Sequence, residues 1–159
     1  MSNVGLYLGT FNPIHNGHVT LAEYFSKLPE LDEVLVVISP QSPFKKEDGL
    51  INDKERLEMA EIVFKKFDNV RVSDIEFKMS KPNFTIDTKK NIEIAEVYVY
   101  PRDTNQKIPD EILTNSNIKL VDAPKIKISS SHIRELIKSN KKIDGLVPKE
   151  VLGFFKFIT

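Results

Sequence analysis

The feature that most constrains this chain is the run Val34-Leu35-Val36-Val37-Ile38, which follows Glu33. These five consecutive apolar residues, four of them β-branched, leave no polar face for water. Such a segment reads as a strand buried on both sides, and strands of that kind belong to parallel sheets covered by helices. The remaining segments supply the other parts. Val4 to Leu8 is a second buried strand, stopping at Gly9. From Gly17 to Lys27, the residues Val19, Leu21, Ala22 and Phe25 mark one helical face, and Pro29 ends it. Asn52 is placed as an N-cap with Glu55 in capping-box position, ahead of Leu57, Met59, Ala60, Val63, Phe64 and Phe67 on the core side of a helix. Val70 to Val72, Val97 to Tyr100 and Ile118 to Val121 read as short strands, and Asp74 to Asn83 as a loop. Ser130 to Ser139 reads as a helix, and Pro148 opens a last short one. Strands alternating with helices predict an α/β fold with a mainly parallel sheet. Ligands of such sheets bind beyond the carboxyl ends of the strands.

Composition narrows the function. Lys+Arg and Asp+Glu both number 23, so the net charge is zero. A general attraction to nucleic acid or to an anionic membrane is not indicated, and an anion site has to be built locally. The absence of cysteine excludes disulfides, thiolate catalysis and thiolate-bound metals. No apolar run approaches the roughly 20 residues of a membrane helix, and Met1 to Gly9 lacks the pattern of a signal peptide. A soluble, cytoplasmic protein is expected, with no nucleic-acid or membrane partner. The 159 residues predict a single domain spanning the whole chain. Self-association is left open.

Two segments carry chemistry. The first is Gly9-Thr10-Phe11-Asn12-Pro13-Ile14-His15-Asn16-Gly17-His18, between a strand and a helix. Gly9 lets backbone come close to a ligand, and N–H groups near a helix start suit phosphate. His15 and His18 are spaced to face one phosphate at the positive end of the helix dipole. Two imidazoles there can donate to oxygens on which charge builds in a transition state. A lone histidine at a helix start is ordinarily a cap or a surface residue. Zinc needs three or four protein ligands, and the only other histidine is His132, so a phosphate role is favoured over a metal site. The second segment is Ile128-Ser129-Ser130-Ser131-His132-Ile133-Arg134. Its serines can cap a helix and leave N–H groups for an anion, and Arg134 carries a fork suited to phosphate.

The decapeptide resembles the signature of the cytidylyltransferase-like nucleotidylyltransferases, whose HxGH motif is matched by His15-Asn16-Gly17-His18. Ile128 to Arg134 resembles the family's second signature, ISSTxIR, with Ser131 where threonine is usual. The resemblance implies a Rossmann-like nucleotidylyltransferase fold. It also implies an ATP site formed by Gly9, Thr10, Phe11, His15, His18, Ser129, Ser130 and Arg134, with the two serines and the arginine on the β- and γ-phosphates. Smaller matches point to the nicotinate-mononucleotide branch. Ser39 to Lys46 is similar to a loop whose lysine approaches the phosphates, which makes Lys45 a candidate. Val72 to Glu76 is similar to the segment before the substrate loop of that branch. Asn83 to Thr88 resembles a stretch lining the mononucleotide pocket, so Thr85 and Asp87 are its candidates here. The implied partners are ATP and nicotinate mononucleotide, the products deamido-NAD and pyrophosphate, and the cofactor Mg²⁺ held mainly through ATP phosphates. Catalysis would fall to His15, His18, Lys45 and Arg134. Pantetheine-phosphate adenylyltransferase is the nearest rival. A non-catalytic nucleotide-binding relative and an unrelated α/β binding module are the other classes.

One departure stands out. After Thr88 only Lys89 to Glu96 precede Val97, and the chain has no tryptophan. The family's usual helix, Gly-x-Asp strand and Trp-containing helix do not fit there, because a parallel crossover takes about a dozen residues. An internal strand and its helices are expected to be missing near residues 88–97. Either the sequence lacks a segment that a longer protein carries, or the chain is a shortened member, or catalysis has gone with the segment. The first is preferred, since removing a central strand exposes two ladder edges.

Overall fold

The computed structural model describes residues 3–40, 51–78, 97–100 and 118–155. The chain forms two compact units, Met1–Asn83 with Ile128–Thr159, and Phe84–Lys127. In the first unit three parallel strands, β1 (Val4–Gly9), β2 (Glu33–Ile38) and β3 (Val70–Ser73), stand in the order β1-β2-β3. Val4 pairs with Glu33 through to Gly9 with Ile38, and Val34 pairs with Val70 through to Val37 with Ser73. The apolar run therefore forms the middle strand, where Val34, Val36, Val37 and Ile38 are buried. That is where a sheet puts a segment with no polar face.

Helix α1 (Asn16–Ser26) packs against β2, and α2 (Asp53–Phe64) against β3 and a final 3₁₀ helix, Lys149–Phe155. Asn52 caps α2 by accepting from the Glu55 N–H at 2.8 Å. Asp53 and Glu55 place negative charge in its first turn, where the helix dipole favours it. Helix α3 (Ser130–Lys138) sends Ile133 into the same core as Phe11, Ile14, Met59 and Phe64. The chain after it adds Ile143, Val147 and Val151, so the far end of the sequence is packed beside its beginning. Helix α3 ends in a Schellman turn: Asn140 adopts φ 50°, its N–H bonds Ile137 O at 3.0 Å, and the Lys141 N–H bonds Leu136 O at 2.9 Å. In the second unit β4 (Val97–Val99) pairs in parallel with β5 (Ile118–Leu120).

The elements follow the sequence reading with shifted ends. Strand β1 runs on to Gly9 and β3 to Ser73, whereas β4 stops at Val99 and β5 at Leu120. Helix α1 begins at Asn16 because His15 caps it. The expected loop after β3 holds a 3₁₀ turn, Ile75–Phe77, and the helix expected at Pro148 is the 3₁₀ helix above. The expected shortening near 88–97 falls almost wholly outside the described residues.

Candidate active site

Strand β1 delivers the chain to Gly9, whose carbonyl accepts from the Ser39 N–H at 2.8 Å. Phe11 then turns the chain with φ 45°, a left-handed conformation that a residue with a Cβ adopts only when its surroundings hold it. Its ring folds back over Gly9: a Cβ there would lie 3.0 Å from Phe11 Cε2. The Phe11 ring thus makes one close approach that a side chain at this position would meet. The ring is 1% exposed. It meets Tyr7 edge-on at 5.3 Å and His18 at 4.8 Å. The Phe11 side chain also packs against His18.

His15 is the N-cap of α1. Its Nδ1 accepts from the His18 N–H at 3.3 Å, and His18 Nδ1 accepts from the His15 N–H at 3.1 Å. Two imidazoles thus make the reciprocal capping box that Ser or Thr with Glu or Gln make elsewhere, and this explains their spacing of three. The rings stack at 3.6 Å with 17° between planes. An imidazole nitrogen that accepts a hydrogen bond carries no proton, so each neutral ring holds its proton on Nε2. The cap therefore sets both histidines in the tautomer that presents an Nε2–H donor.

Ser129 caps α3, its Oγ accepting from the His132 N–H at 3.2 Å. This cap leaves the hydroxyl's own proton to give, together with the first-turn N–H groups of Ser130 and Ser131. Ser130 differs. Its Oγ donates to Pro13 O at 3.0 Å, which engages its one donor. Arg134 Nη1 donates to Asn12 O at 2.7 Å and Nη2 to Ser131 Oγ at 3.3 Å. The two motifs, more than a hundred residues apart, are therefore bonded directly. On the other side of the same loop, the Asn16 N–H bonds Leu146 O at 2.9 Å, and Asn16 Nδ2 bonds Gly145 O at 2.8 Å.

The structure brings together Gly9, Thr10, Phe11, His15, His18, Ser129, Ser130 and Arg134 at the carboxyl end of β1. Lys45, Thr85 and Asp87 lie outside the described residues. Three polar residues escaped the sequence reading: Asn12, whose buried Oδ1 accepts from the Ile51 N–H at 2.9 Å, Asn16, and the buried Arg56. Arg56 did leave a signal, since Met59, Ala60 and Val63 continue its helical stripe and an arginine interrupts that apolar face. Among the described residues no group of three or more His, Cys, Asp or Glu could hold a metal, and no helix is long and apolar enough to cross a membrane.

The sequence profile of the cytidylyltransferase-like family matches residues 6–136. The chain belongs to that family. Within it, the chain is 34% identical to the probable nicotinate-nucleotide adenylyltransferase of Flavobacterium psychrophilum, over 93% of each chain. It is 35% identical to the protein of the same name from Christiangramia forsetii, over 93% of this chain and 92% of that one. The F. psychrophilum alignment runs over 179 positions but takes in 93% of this chain's 159 residues, about 148, so about 31 aligned positions have no residue here. Among solved structures, the nicotinic acid mononucleotide adenylyltransferase of Plasmodium falciparum, complexed with NaAD, superposes with a TM-score of 0.72. That match is at 18% identity and covers 99% of this chain and 98% of the other. This chain has the Rossmann-like nucleotidylyltransferase fold of its family.

Proposed function

We propose that this member of the family transfers the adenylyl group of ATP to nicotinate mononucleotide, giving deamido-NAD and pyrophosphate. The observation that carries the reading is the direct bonding of the two motifs, Ser130 to Pro13 and Arg134 to Asn12, which sets the histidine pair beside the start of α3. The nicotinate branch is supported by the relatives named above, at 34% and 35% identity over nearly their whole lengths.

In the reaction, an oxygen of the mononucleotide 5′-phosphate attacks the α-phosphorus of ATP in line. The new P–O bond forms as the bond to pyrophosphate breaks, and no covalent intermediate with the protein is needed. The nucleophile is already an anion at neutral pH, so the protein's work is positioning and charge stabilisation. The Nε2–H groups of His15 and His18 face the reacting phosphates. Ser129, the first-turn N–H groups of α3 and Arg134 hold the triphosphate, with Lys45 closing on it and Thr85 and Asp87 on the mononucleotide. Ser130 serves mainly as the strap to Pro13. Mg²⁺ carried in with ATP would offset the charge of the triphosphate.

The test is pyrophosphate release from Mg·ATP with nicotinate mononucleotide, nicotinamide mononucleotide or phosphopantetheine. Release with nicotinate mononucleotide is expected. Release with phosphopantetheine alone overturns the branch. The second reading, a shortened relative that binds nucleotide without turnover, is favoured by the aligned positions that have no residue here. It predicts ATP-dependent thermal stabilisation with no release from any substrate.

A further inference from the structure

Arg56 is the largest fully buried side chain among the described residues. A guanidinium cannot shed its charge, so burying it is unfavourable unless its donors are satisfied. Here they are spent on main chain at the sheet's carboxyl edge. Nε donates to Ile51 O at 3.1 Å. Nη1 donates both to Thr10 O and to Ser39 O, the latter at 2.7 Å. Nη2 bonds the Asp53 carboxylate, and the Phe77 ring lies 6.0 Å from the guanidinium carbon. Thr10 and Ser39 are the first residues after Gly9 and Ile38, the last paired positions of β1 and β2. At that point the two chains leave the ladder, and one nitrogen spans them.

We infer that Arg56 is a positioning residue for adenylyl transfer: it fixes the spacing of the β1 and β2 exit loops and, through Thr10, the turn that carries Phe11 and the histidine pair. The inference rests on the function proposed above. An apolar side chain of similar volume could fill the same space, but it would leave the Ile51, Thr10 and Ser39 carbonyls without this donor. A lysine could not serve either. One ammonium cannot reach Ile51, Asp53 and both loop carbonyls at once, whereas the planar fork does.

The test compares full-length Arg56→Met and Arg56→Lys with Met59→Ala, a core truncation one turn along the same face of α2. All are assayed well below their melting temperatures. Both Arg56 variants are expected to lower kcat by about tenfold or more through misplacement of the histidines, with KM for ATP changed by less than about threefold. Met59→Ala should melt earlier than wild type yet keep kcat within about twofold, because it opens a cavity without removing any bond to the Thr10 and Ser39 carbonyls. A wild-type kcat in Arg56→Met overturns the inference, and so does an equal kcat loss in Met59→Ala. ¹⁵N imidazole shifts judge the clamp independently of turnover. In wild type, both histidines should show the Nε2–H pattern, and in Arg56→Met that pattern should be lost. Retention of the pattern overturns the clamp even if the wild-type protein releases no pyrophosphate, an outcome that would defeat only the proposed function.

Discussion

Replacing Gly9 by alanine tests the geometry on which the histidine pair depends. The backbone at Gly9 is not left-handed, so alanine meets no conformational barrier there and the effect is purely one of space. Its Cβ would fall 3.0, 3.2 and 3.4 Å from three atoms of the Phe11 ring. Carbon atoms are best placed at about 3.5–4.0 Å, so the ring has to retreat by roughly half an ångström. It has little room to do so, because Tyr7 lies at 5.3 Å on one side and His18 at 4.8 Å on another, and His18 is itself stacked on His15 at 3.6 Å. Overpacking of this kind costs about 1–3 kcal/mol, which for a chain of this size lowers Tm by roughly 2–4 °C per kcal/mol. The displacement passes to His18, and a misplacement of about 1 Å can cost 10²-fold in rate, so the half-ångström shift should lower kcat by about tenfold. Melting curves and steady-state pyrophosphate release measure both effects. Phe11→Leu added to Gly9→Ala should return part of the lost stability, since residues in contact couple by about 0.5–3 kcal/mol. If Gly9→Ala alone leaves Tm and kcat at wild-type values, the ring is not the fixed support described above, and the account of His18 fails with it.

His15→Asn keeps a strong N-cap but removes the imidazole. It should hold Tm near wild type while kcat falls by about 10² or more, and His15→Ala should lower both. Ser129→Ala should raise KM for ATP several-fold, because it removes a hydroxyl donor along with a cap. Ser130→Ala should chiefly lower stability, by about 0.5–1.5 kcal/mol, in ATP titrations and thermal melts run side by side. The Glu23 carboxyl is held below its ordinary value, first by the hydrogen bond from Lys27 and then by that side chain's charge. A depressed carboxylate stabilises the fold above its unfolded pKa and loses that contribution as pH falls through the lower folded value. Glu23→Gln should therefore reduce stability at pH 7 and have no effect at the acid end of that window. The pair is exposed, so the difference should not exceed about 0.5 kcal/mol in paired melts at the two pH values.

Much of the architecture was legible because single residues decide it. Five apolar residues in a row read as a strand buried on both sides, and Asn52 as the start of a helix, and each is found so. The site was legible as a set of positions but not as a set of contacts. That His15 and His18 cap one another, that Phe11 fills the space over Gly9, and that Ser130 spends its proton on Pro13 all depend on tertiary neighbours. The local pattern of each residue type also fits the simpler role first assigned to it. Arg56 shows the converse. A charged residue in an apolar stripe was a signal that the sequence reading passed over, and its purpose needs the carbonyls of Thr10 and Ser39, which lie in other segments of the chain.

The bonds that join the two motifs also govern how the site comes into being. Ser130 to Pro13 spans 117 residues, Arg134 to Asn12 spans 122 and Asn16 to Gly145 spans 129. Closing a loop of that length lowers the chain entropy by the equivalent of about 4 kcal/mol, and only the first contact bears it. Once Ser130 reaches Pro13, Arg134 to Asn12 closes over about five residues and Asn16 to Gly145 over about eighteen, far less than the first closure. That edge of the sheet therefore comes together largely in one step. During synthesis the histidine turn waits for its partners until the chain beyond Gly145 has emerged. In the finished protein, one proteolytic nick between the motifs would turn their joining from an internal event into an encounter between two fragments.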